Sequence, residues 1–110
     1  MQVAEKEKVY RALSDPTRRE ILDHLSKRAH SASSIPLQKS MSQPALSQHL
    51  RILRLAGLVV SKKQGRNRLY VLDATPLIEI YDWVKHYENF WSAKLSKLGK
   101  MLDEEKNKDK

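Results

Sequence analysis

Residues 42–73 read SQPALSQHLRILRLAGLVVSKKQGRNRLYVLD, and the fold turns on how this stretch divides. Ser42 is a good helix N-cap, and Pro44 is tolerated only within a first turn. Leu46, Leu50 and Leu53 then recur by fours and threes, with Ala45 and Ile52 nearby, which predicts one buried face on a helix running to Ala56. Gly57 supplies the left-handed stop that ends it. VVSKKQ and RLYVLD are β-prone runs on either side of Gly65-Arg66-Asn67, and together they predict a hairpin with apolar alternation through Val59, Leu69 and Val71.

Upstream, residues 3–13 predict a short helix with Val9, Tyr10 and Leu13 as candidate buried positions. Asp15 and Pro16 start a second helix to about Lys27, burying Ile21, Leu22 and Leu25. A short third helix is expected over 34–39, containing Ile35 and Leu37, with Pro36 confined to its first turn. Downstream, Asp73, Thr75 and Pro76 start a last helix. Its stripe of Leu77, Ile80, Val84, Tyr87, Trp91, Leu95, Leu98 and Leu102 spans roughly 40 Å at ~1.5 Å per residue. Tyr81, Trp83 and Phe90 widen that stripe beyond what so small a domain can cover. The polar tail, 103–110, is expected to be disordered. The expectation is one domain over 1–102, mainly α with a two-stranded hairpin wing: a winged helix-turn-helix of five helices.

Composition narrows the function. The chain has 110 residues, room for one modest core, and no cysteine, which excludes disulfides, thiolate metal sites and cysteine catalysis. A mean hydropathy of −0.64 and apolar runs as short as Gly57–Val60 do not fit a membrane span. The opening MQVAEKEKVY lacks the apolar core of a signal peptide, so the expected location is cytoplasmic. There is no P-loop, no glycine-rich dinucleotide turn, no nucleophile elbow and no carboxylate pair in the middle of the chain. Ser47-Gln48-His49 are only neighbours in sequence, with no third group to orient the histidine. An enzyme is not expected, nor a cofactor.

Charge points the other way. The net charge is +8, yet residues 24–72 hold nine basic side chains and no acid. All of the excess therefore lies mid-chain, the footprint of a face that meets a polyanion. With Leu46, Leu50 and Leu53 turned inward, the helix presents Gln43, Ser47, Gln48, Arg51 and Arg54 outward. These are side chains suited to base edges in a major groove and to guanine or phosphate. The free N–H groups at Ser42 favour a phosphate as well. Lys62, Lys63, Arg66 and Arg68 make the hairpin tip a basic wing for backbone or minor groove. Double-stranded DNA is the expected partner.

The motifs ALSDPTRREILDHL, SQPALSQHLRILRLAGLV and KKQGRNRLYVLD resemble the ArsR/SmtB family of repressors over roughly residues 8–98. The metal-independent autorepressors, with a DPTRR opening and an aromatic-rich final helix, are the most similar in style. The resemblance implies a homodimer built from the first and last helices, with recognition helices in successive major grooves of an imperfect palindrome. It implies base contacts from Gln43, Ser47 and Gln48, with Pro44 beside them, and wing contacts from the basic tip. The interface would take Val9, Tyr10 and Leu13 with Trp83, Val84, Tyr87, Phe90, Trp91, Leu95 and Leu98. The chain departs from the family's pattern at Pro36, where alanine is usual, and at Lys39, where an apolar residue is usual. Of a last-helix zinc site only Asp82, His86 and Glu88 remain, so no metal is expected.

Several residues carry two readings. His49 packs or meets a phosphate. Asp82 and His86 form a solvated pair or part of a metal site. His24 and His30 are expected at the surface, and Arg18 or Arg19 in an ion pair with an acid of the last helix. The aromatic stripe is dimer core, or lines a pocket for an apolar effector. A different class of function is a protein-interaction module in which the last helix docks a partner, including one that sequesters the protein from DNA. A nonspecific DNA-binding protein is a third.

Overall fold

Capping residues punctuate the chain where the sequence places them. In the computed structural model, which describes residues 3–108, helix α1 (Val3–Leu13) is followed by α2 (Pro16–Lys27). The Asp15 carboxylate accepts from the backbone N–H of Thr17 at 2.8 Å and of Arg18 at 3.2 Å. Burial works to raise the pKa of this carboxyl. The bonds from Arg18 and Thr17, with the charges of His49 and Arg18, outweigh it and hold the group below its ordinary value.

Helix α3 (Gln43–Leu55) starts on Ser42, whose hydroxyl accepts from Ala45 N–H at 3.2 Å. It ends with Gly57 at φ 78°, where Gly57 N–H donates to Arg54 O and Leu58 N–H to Leu53 O. That bond pair is a Schellman stop, and only glycine takes its left-handed step without strain. Strands β1 (Val59–Gln64) and β2 (Asn67–Leu72) pair antiparallel around Gly65-Arg66. Gly65, at φ 61°, takes the first central position of the two-residue turn. The register pairs Val59 with Leu72, whereas Leu69 faces Lys62 and Val71 faces Val60. The expected alternation is therefore split between the two faces. Only Val59 of those three is buried.

The core gathers Val9 and Ala12 of α1, Ile21, Leu22 and Leu25 of α2, Ile35, the α3 leucines 46, 50 and 53, and Leu58 and Val59. Val9 is 1% exposed, which corrects its assignment to a dimer interface: the side chain is already spent on the protomer's own core. Tyr10 and Leu13 are half-buried and keep surface.

Two elements differ from expectation. No helix forms over 34–39. A 3₁₀ turn occupies Ala32–Ser34, and the chain then runs irregularly to Ser42. The cause is Pro36, which disfavours helical geometry at Ile35 (φ −70°, ψ 117°) and lacks the N–H a helix would use. Ile35 stays buried all the same, its carbonyl accepts from Leu37 N–H at 2.9 Å, and the Glu20 carboxylate accepts from Gln38 N–H at 2.8 Å.

The last helix is the other difference. A 3₁₀ turn, Thr75–Leu77, follows an Asp73 carboxylate that accepts from Thr75 N–H. Helices α4 (Ile78–Lys85) and α5 (Glu88–Lys108) then replace the single expected helix. At the joint, His86 N–H is shared between Asp82 O and Trp83 O, and Tyr87 N–H turns to Val84 O. The winding thus tightens to i→i−3 bonds. Trp83 meets Tyr87 edge-on at 5.8 Å across that joint. Helix α5 runs through 103–108, where disorder is expected from the polar sequence, because Glu and Lys are themselves good helix formers. Residues 109–110 of that tail lie outside the described residues. The chain divides into a unit ending at Glu79 and a second beginning at Ile80.

Candidate nucleic-acid interface

Helix α3 has two faces with separate tasks. Leu46, Leu50 and Leu53 are buried, while Gln43, Pro44, Ser47, Gln48, Arg51 and Arg54 are exposed. The exposed set repeats by threes and fours and so lines one face of the helix. Ser42 is exposed, with its hydroxyl engaged as the cap. His49 is half-buried at the edge of that face, its Nδ1 3.3 Å from Nη1 of Arg18.

The wing supplies the cations. Lys62, Lys63, Arg66 and Arg68 are all exposed, and Lys63 lies directly opposite Arg68. Arg68 Nη1 donates to the Ser61 hydroxyl at 3.3 Å, which steers that guanidinium along the strand. Like charges side by side on a two-stranded ribbon destabilise it unless something anionic lies against them. All nine basic residues of 24–72 are exposed. The ion pairs seen among the described residues, Lys6–Glu79 and His24–Glu20, use none of them. A cleft of about 240 Å³ separates the start of α3 from the wing, lined by Ser31, Ser33, Gln43, Arg66, Asn67 and Arg68 among others.

Ser31, Ser33 and Asn67 are site residues that sequence reasoning missed. They join the site only because the loop before α3 folds back onto β2, where His30 and Tyr70 exchange backbone hydrogen bonds of 3.2 and 2.7 Å. His30 is 4% exposed, a correction to its expected surface position. Its Nδ1 lies 3.0 Å from the Ser34 hydroxyl. Burial, then the charges of Arg28 and His24, holds its pKa below the ordinary 6.5, against the Ser34 bond. A histidine depressed on folding is neutral in both states above about pH 6.5 and adds no pH dependence there. Below that value the unfolded chain takes up the proton first, so stability falls as pH drops. Urea midpoints are expected to decline between pH 7 and 5, and His30→Gln to flatten the decline. An unchanged slope in that variant would place the acid sensitivity elsewhere.

Arg18 and Arg19 also differ from expectation, since neither pairs with an acid of the last helix. Arg18 donates to Ala12 O at 2.7 Å and Arg11 O at 2.9 Å, and Arg19 to Leu13 O at 2.6 Å. Both cap carbonyls that α1 leaves unbonded at its end.

In the second unit, Trp83, Val84, Tyr87, Phe90, Leu95 and Leu98 are exposed and Trp91 is half-buried. Asp82 and His86 are joined by a backbone bond, and among the described residues no three His, Asp or Glu side chains gather as metal ligands. No described helix is long and apolar enough to cross a membrane.

A recognition helix presented beside a basic hairpin defines a winged helix-turn-helix protein. Residues 15–61 match the family model described as bacterial regulatory protein, arsR family. The chain is 31% identical over 99 residues to the HTH-type transcriptional regulator Rv2034 of Mycobacterium tuberculosis, covering 90% of each. It is 36% identical over 81 residues to the transcriptional repressor SdpR of Bacillus subtilis, covering 74% of this chain and 90% of that one. Among solved structures, the ArsR family transcriptional regulator RHA00566 superposes with a TM-score of 0.74 at 26% identity, over 84% of this chain and 95% of that one. An ArsR-like transcriptional regulator from Rhodococcus sp. RHA1 gives 0.66 at 34% identity, over 89% and 92%. The chain belongs to the ArsR family: it is a DNA-binding transcription regulator and not an enzyme.

Proposed function

We propose that this protein is a homodimeric repressor that binds a palindromic operator at its own promoter or that of a neighbouring operon. The observation that carries the reading is the coincidence of an acid-free, fully exposed set of nine cations with the polar face of α3 and the wing. Helix α3 enters the major groove, where Gln43, Ser47, Gln48 and Arg51 discriminate bases. Lys62, Lys63, Arg66 and Arg68 hold the backbone or minor groove, and Arg54 and His49 add phosphate contacts. The interface between protomers is formed by α5 together with Tyr10 and Leu13. Asp82 and His86 serve as a solvated pair, and no metal or other cofactor takes part. The working location is the cytoplasm, where the operator is.

Fluorescence anisotropy on the gene's own upstream region and on a scrambled duplex tests this reading. A preference of at least ~10³ is expected for specific recognition. Equal binding to both duplexes, lost steeply with salt, would leave only phosphate attraction and sink the operator reading. Within that assay, Gln48→Ala is expected to cost about 1–3 kcal/mol and to relax one base position. Arg66→Ala is expected to weaken all duplexes alike and to reduce the salt slope by about 0.9. A Gln48→Ala protein with unchanged base preference would show that another face of α3 reads the DNA.

A further inference from the structure

Arg18 does more than close the end of α1. Its Nε and Nη2 donate to Ala12 O and Arg11 O, and its remaining Nη1 reaches Nδ1 of His49 on α3, 3.3 Å away. Its own backbone N–H is fixed by the Asp15 cap. One side chain on α2 is thus bonded to the end of α1 and to the helix that carries Gln48 and Arg51. Arg19 is a natural control: it caps the same end of α1 through Leu13 O, with no bond to α3.

A guanidinium has donors only, so the His49 nitrogen facing it must carry the lone pair. The ring is then the neutral tautomer with its proton on Nε2, and a donor is the form a phosphate oxygen needs. We propose that Arg18 is a positioning residue for DNA recognition. It locks α3 to α1 through His49 and sets His49 in the Nε2–H tautomer that donates to a DNA phosphate. The inference rests on the reading that α3 enters the groove.

The test uses the full chain and a duplex selected by the wild-type protein from a random pool, so failure to select any sequence would count against the groove reading itself. Arg18→Lys keeps the charge, but one ammonium cannot span three acceptors on two helices. It is expected to weaken binding to the selected duplex about tenfold or more, and to leave binding to a scrambled duplex unchanged. Arg19→Lys is expected to leave both unchanged. His49→Phe is expected to lose as much as Arg18→Lys, and the double variant no more than the larger single loss, because the two act as one unit. Nitrogen-15 NMR of the His49 ring reads the tautomer directly: an unprotonated Nδ1 in the wild type, and a mixture in Arg18→Lys. A protonated Nδ1 in the wild type overturns the proposal, as do additive losses in the double variant. If Arg18→Lys does not fold, the His49→Phe affinity and the wild-type ring signal decide alone, and wild-type affinity in His49→Phe overturns it.

Discussion

Replacing Leu95 and Leu98 together by glutamate is expected to turn the protein into a monomer and to cut its affinity for the selected duplex by about 10³-fold, to the level of nonspecific binding. The two leucines are 49% and 50% exposed on α5, so the change empties no core within the protomer. They continue a stripe in which Phe90, Met101 and Leu102 are also more than half exposed. A contiguous apolar surface of that kind marks an interface, because every Å² left in water forgoes roughly 25 cal/mol. Two glutamates per chain would bury four charges in a paired interface, with no nearby cations sufficient to neutralise them. The effect on DNA is large because a dimer reads two half-sites about 34 Å apart with one binding event, and a monomer reads only one. Sedimentation velocity at micromolar protein gives the state of each form, and anisotropy gives the affinity. A wild-type protein that sediments as a monomer, or a variant that keeps both dimer and affinity, would remove the second copy from this face and favour a different protein partner.

Most of the scaffold was legible because its signals are local. Asp15, Ser42 and Gly57 fix where helices start and stop through bonds made within a few residues. The leucines at 46, 50 and 53 fix which side of α3 is buried, and hence which side is free for DNA. What was not legible depends on long-range placement. Pro36 was noted as a constraint, but the cost of starting a helix around it exceeded what Ile35 and Leu37 could return in so short an element, and Ile35 is buried as well from an irregular segment as from a helix. Nothing in the spacing marks the break at His86-Tyr87, since no glycine or proline stands there and the apolar stripe passes through it without a change of period. Histidine at position 30 looks like a surface residue in a polar loop. It is buried because that loop pairs with Tyr70 of β2, a contact forty residues away in the chain. The same is true of Arg18, whose three partners lie six, seven and thirty-one residues from it. The site was therefore read correctly as a polar face and a basic tip, and its supporting bonds were not.

Leu53→Ala is expected to destabilise the protein by about 2–5 kcal/mol, and so to lower Tm on the order of 10 °C or more. Leu53 is fully buried on α3, on the opposite face from Ser47 and Gln48. The neighbours of such a side chain relax only partly when it is truncated, so the loss includes a cavity as well as the transfer of three carbons. Against a net stability of about 5–15 kcal/mol for a domain, that loss leaves a folded majority at low temperature in all but the least stable case. The variant protein that remains folded keeps Gln43, Ser47, Gln48 and Arg51 on a helix with the same caps, so its base preference at 10 °C should match the wild type. Gln48→Ala should do the reverse, leaving Tm within about 0.5 kcal/mol of stability and changing the preferred base. Thermal melts and anisotropy on both variants separate the two faces of one helix. If Leu53→Ala altered the preferred sequence while still folded, the pose of α3 in the groove would depend on its packing at that point. The buried face would then belong to the recognition mechanism and not only to the scaffold.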